Sequence, residues 1–80
     1  MDYLKMLDIV EKKIGKEFPN VVNDVDLCIS SGSTGGEITF NVGKYLINLE
    51  TNNKEAYDIL FNDITEYVNG CKKEGLNLRR

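Results

Sequence analysis

The chain contains no histidine. That absence removes the commonest general base, the Ser-His and Cys-His nucleophile pairs, and the commonest metal ligand. Cysteine occurs twice, as Cys28 and Cys71, in neither a CxxC nor a zinc-ligand spacing. Two reduced structural thiols are expected, with no disulfide between them. Proline occurs once and the aromatic share is an ordinary 9%, so disorder is not expected. No apolar run approaches the roughly 18 residues of a membrane span, and the N-terminus has no signal-peptide h-region. A cytoplasmic protein without membrane contact is the expectation. A formal charge of −3 gives no general affinity for nucleic acid. Abundant Lys, Asn, Ile and Glu suggests a low-GC bacterial gene or its phage.

What is present is strong hydrophobic patterning in a chain of 80 residues, a length suited to one domain with a thin core. Between Asp24 and Glu50 the pattern alternates, which predicts strands over 24–30, 37–42 and 45–50. Gly43-Lys44 reads as a two-residue hairpin turn in which Gly supplies a positive φ. That register places Val42, Phe40 and Ile38 opposite Tyr45, Ile47 and Leu49. Val25, Leu27 and Ile29 complete an apolar grid on the same face. Only Cys28 and Leu46 are apolar on the other side.

Helices are predicted over 2–18 and 53–73. Asp2 can cap the first, whose Tyr3, Leu7, Val10, Ile14 and Phe18 recur at helical spacing before Phe18-Pro19-Asn20 stops it. Lys12, Lys13 and Lys16 match the helix dipole at its end. In the second, Asn52 and Glu55 resemble a capping box. Its stripe runs through Ala56, Ile59, Leu60, Ile64, Tyr67, Val68 and Cys71, and Gly75 can serve as C-cap. The tail over 76–80 either frays or folds Leu76 and Leu78 back onto the core. The predicted fold is α+β: a two-layer α-β-β-β-α sandwich with a three-stranded antiparallel meander and both helices on its apolar face.

The motifs exclude more chemistry than they offer. The run Ser30 to Gly36 lacks the lysine and the following helix of a P-loop, and reads as a hairpin loop able to touch a partner. Asp24, Asp26 and Glu37 lack the calcium-loop pattern. Paired-carboxylate glycosidase chemistry needs a cleft for which two layers leave little room. No catalytic residue, cofactor or metal site is expected.

Charge is uneven along the chain. Residues 1–16 hold four basic and three acidic side chains, residues 17–66 two and nine, and residues 67–80 four and one. Asp24, Asp26, Glu37 and Glu50 would share the open sheet face, with Ser33 and Thr34 in the adjoining loop. Such a face steers a basic partner towards it.

The segment Gly43-Lys44-Tyr45-Leu46-Ile47-Asn48-Leu49-Glu50, running into Asn52-Asn53-Lys54-Glu55, resembles in kind the last strand and helix start of small phage-encoded anti-CRISPR proteins that inhibit Cas9. The acidic middle and the helix–three-strand–helix layout are also similar to theirs. The resemblance implies an acidic DNA mimic that fills the site where paired arginines read the PAM duplex. It carries over no functional residue.

Two functions follow as expectations. One is a non-enzymatic module that binds a protein partner, such as a basic nucleic-acid-handling protein, through Asp24, Asp26, Glu37, Glu50, Ser33 and Thr34. The other is a small homodimer or assembly protein in which Leu46 and Cys28 mark the contact.

Overall fold

A computed structural model describes residues 1–79, and its secondary structure is entirely helical among them. The order is α1 (Tyr3–Ile14), α2 (Pro19–Ser30), α3 (Gly35–Asn52), α4 (Lys54–Ile59) and α5 (Phe61–Lys73). The expected α+β sandwich is therefore corrected. None of the strands predicted over 24–30, 37–42 and 45–50 forms, and there is no sheet for two helices to cover. The likeness to the Cas9 inhibitors rested on that layout and falls with it.

The physical reason lies in two periods that the same residues satisfy. Val21, Val22, Val25, Cys28 and Ile29 recur at three-to-four spacing, and so do Ile38, Val42, Tyr45, Leu46 and Leu49. Leu46, the misfit on the supposed polar sheet face, has 0% exposure in the helical core. Gly43 supplies no positive φ; among the described residues only Gly75 has one. Gly43-Lys44 lies inside α3, and no hairpin interrupts that helix.

The helix ends explain the segmentation. Asp2 caps α1, accepting from the Lys5 backbone N–H at 2.8 Å. Pro19 stands in the first turn of α2, where its missing N–H removes no helical hydrogen bond. It starts a helix here rather than ending one: α1, expected to run to Phe18, already stops at Ile14 with Gly15 as its C-cap. Thr34 caps α3 by accepting from the Glu37 N–H at 3.1 Å. The Glu37 carboxylate reaches back to the Ser33 N–H at 3.4 Å, a variant of the capping box displaced by one residue. Asn53, rather than Asn52, caps α4, accepting from the Ala56 N–H at 3.2 Å. The expected helix over 53–73 is broken at Leu60, whose φ of −92° and ψ of 4° leave the helical region.

Helix α3 touches all four other helices. Around it gather Met6, Val10 and Ile14 of α1, Val25 of α2, and Ile64, Tyr67 and Val68 of α5, all buried. The Tyr67 hydroxyl donates to the Thr39 carbonyl at 3.0 Å, tying α5 to α3. Lys13 of α1 and Asp63 of α5 form an ion pair at 2.6 Å.

Beyond α5 the chain turns at Gly75. Its φ of +87° favours glycine, and the hydrogen bonds Gly75 N–H to Lys72 carbonyl (3.0 Å) and Leu76 N–H to Cys71 carbonyl (3.0 Å) form a Schellman motif. This sends the tail back across α3, where Leu78 is 3% exposed. Burying such a leucine contributes about 2 kcal/mol. Partly buried Leu76 packs against the same core. Among the described residues no helix is long and apolar enough to cross a membrane.

Candidate functional site

In α2, Asp24, Leu27, Cys28 and Ser31 (its C-cap) follow one another at i, i+3, i+4 and i+7, so they occupy one stripe of the helix. Val21 and Val25 anchor the neighbouring stripe in the core. The outer stripe meets Tyr45 of α3, and together these five residues line an open groove of about 340 Å³. The Tyr45 hydroxyl donates to the Asp24 carboxylate at 2.8 Å, which joins the two helices across the groove. Leu27 stands at its edge with 64% of its surface exposed. Burial, together with the neighbouring Asp24 carboxylate, raises the pKa of the Cys28 thiol. Burial and the bond to Asp24 likewise raise that of the Tyr45 hydroxyl. Both groups are therefore neutral near pH 7, so Cys28 lacks the thiolate character of a nucleophile.

Grouping the charges by helix sharpens their asymmetry. Residues 1–18 hold four acidic and four basic side chains, and residues 53–80 five of each. Residues 19–52 hold Asp24, Asp26, Glu37 and Glu50 against Lys44 alone. The whole net charge of −3 thus belongs to the segment that forms α2, α3 and their connection. Lys44 lines a different groove, beside the tail.

The predicted site residues do not assemble into one face. Asp24 and Asp26, two apart on a helix, point about 200° from each other, whereas a strand would have aligned them. Asp24 borders the groove and Asp26 is exposed outside its lining. Thr34, Glu37 and the Ser33 backbone are engaged in capping α3. Glu50 lies near the opposite end of that helix, about 20 Å along the axis from Glu37 at 1.5 Å per residue. The acidic, DNA-mimicking sheet face is replaced by an acidic helix pair.

Sequence reasoning missed Leu27 and Tyr45 as groove residues, and placed Ser31 in a hairpin loop rather than at the end of α2. Leu27 and Tyr45 had been assigned to the apolar grid. The signal that could have found the groove was the helical spacing of Asp24, Leu27, Cys28 and Ser31. Among the described residues, no group of three or more Cys, Asp or Glu side chains could hold a metal ion. No family model, characterised protein or solved structure matches the chain.

Proposed function

We propose that this protein is a non-enzymatic binding module whose contact surface is the α2–α3 groove. The observation that carries the reading is the exposed Leu27 beside Asp24 in a groove on the acidic helix pair. An exposed leucine alone is ordinary; joined to a concave apolar surface and charge of one sign, it suits a partner. The complementary partner is a protein that presents an apolar side chain flanked by lysine or arginine. The apolar contact holds it, while the acidic segment raises the encounter rate and excludes acidic competitors.

Paired affinity capture tests this, with the wild type and Leu27→Asp as baits in lysate of a low-GC bacterium at low and high salt. The expected result is a basic protein retained by the wild type, absent from the variant and released by salt. Identical retention by both baits would overturn the reading. A second reading, self-association through the same groove, is favoured by Leu27 because a two-fold contact could bury two copies of it. Sedimentation would then show a concentration-dependent dimer that Leu27→Asp abolishes.

A further inference from the structure

A second groove, of about 260 Å³, runs between α3 and the tail. Phe40, Lys44, Ile47 and Asn48 stand at i, i+4, i+7 and i+8, so they form one stripe of α3. Gly43 brings the tail to that stripe. A Cβ built there would collide with the Cδ1 atom of Leu78, so the bare glycine is what lets Leu78 seat against the helix. Its neighbours Asn77 and Arg79 then stand on the other wall. The lining thus joins an apolar part, made by Phe40, Ile47 and Leu78, to two cations from separate elements.

Both cations lack an acidic partner. Three and four residues to either side of Lys44 stand Phe40, Asn41, Ile47 and Asn48, so its own helix offers it no carboxylate at pairing spacing. Among the described residues the ion pairs join Lys12 to Asp8, Lys13 to Asp63 and Lys54 to Asp58, and neither Lys44 nor Arg79 takes part. Among the same residues no carboxylate lines the groove. In a chain of net charge −3, two cations meet here beside an apolar wall with no acid to answer them.

We propose that this groove binds a small organic carboxylate with an apolar body. The anionic end meets Lys44 and Arg79, and the body covers Phe40, Ile47 and Leu78. Arginine supplies a planar fork that matches a carboxylate, and lysine a point charge. The amides of Asn48 and Asn77 offer further donors. Inorganic phosphate fits less well, because it has no apolar part to set against the wall, and the net negative charge of the chain opposes a polyanion. The volume lies just below the range of about 300–1,000 Å³ for drug-sized ligands, which suits a body of about ten non-hydrogen atoms. So small a ligand in an open groove is held with a Kd of about 0.1–1 mM. The site shares no lining residue with the α2–α3 groove and does not rest on the function proposed for it.

Octanoate is the probe, titrated into the full nitrogen-15-labelled chain and followed by assigned amide cross-peaks. Octanamide at equal ionic strength is the uncharged control. Saturable shifts clustered on residues 40–48 and 77–79 are expected from octanoate, with affinity at least tenfold weaker for octanamide. Lys44→Gln combined with Arg79→Gln should weaken octanoate at least tenfold; both side chains are exposed, so the fold persists. Asn48→Glu is an independent check, since it gives Lys44 an i,i+4 partner and sets a negative charge in the lining. It should weaken octanoate severalfold and leave octanamide unchanged. No saturable shift below about 10 mM octanoate, shifts confined to other surfaces, equal affinity for octanamide, or unchanged affinity in either variant would overturn the proposal.

Discussion

The two edges of α3 are finished in contrasting ways. On one, a whole helix lies alongside and still leaves a groove, spanned by the bond between Tyr45 and Asp24 and bordered by exposed Leu27. On the other, a short tail lies alongside and also leaves a groove, but one of its side chains, Leu78, seats in a notch of α3 that lacks a Cβ. The extent of the covering element therefore does not decide how closely an edge is packed. Side-chain fit decides it, since interiors tolerate few gaps and surfaces tolerate many.

Both edges depend on the centre of α3, so the largest effect is expected there. Leu46→Ala should lower stability by about 2–5 kcal/mol, measured by urea unfolding. Leu46 would lie on an exposed face of a sheet, where the same change would be nearly silent, so a small effect would undo the helical account of both edges.

A smaller effect belongs to the edge facing α2. Tyr45→Phe removes the bond to Asp24 and should cost about 0.5–1.5 kcal/mol at neutral pH. It should also blunt alkaline unfolding. The folded-state pKa of Tyr45, and of Tyr67 in the core, is raised above the ordinary tyrosine value, first by burial. The folded chain then holds these protons more tightly than the unfolded chain. Their contribution is complete below about pH 10 and is lost as pH rises through the folded values. Tyr45→Phe should retain more of its neutral-pH stability above pH 10 than the wild type does. Equal alkaline losses in both proteins would deny Tyr45 that role.

At the edge covered by the tail, Gly43→Ala should leave stability within about 1 kcal/mol of the wild type. The helix gains up to about 1 kcal/mol from alanine, and the atom the new Cβ meets is the far end of the Leu78 side chain, which can shift. A loss of several kcal/mol in the same urea titration would mean that Leu78 cannot shift away from the added methyl group. The smallest change is expected for Leu27→Asp, within about 0.5 kcal/mol. That is what makes it a clean probe of binding.

The sequence was legible where one period stood alone. Asp2, the α1 stripe and the stripe through Ile64, Tyr67, Val68 and Cys71 read as helices, and Gly75 read as a C-cap. Between Asp24 and Glu50, apolar residues fit alternation and helical spacing together, and Gly43-Lys44 tipped the reading towards a hairpin. Leu46 and Cys28 carried the contrary signal, being apolar where a sheet should have been polar; the helix places one in the core and the other half-buried. Thr34 with Glu37 was a second overlooked sign of a helix start. The site followed the fold. Asp24 lies at the groove, but its companions were grouped by a period of two, and Leu27 was hidden inside a grid that does not form.

The most direct test of the α2–α3 surface is site-specific photo-crosslinking. A benzophenone amino acid would replace Ser31 in the groove or, as the control, exposed Asn69 on α5, in cells that make the protein. A partner crosslinked from position 31 and not from position 69, and lost when Leu27→Asp is added, is the predicted result. Crosslinks that are the same from both positions, or that survive Leu27→Asp unchanged, would contradict the account.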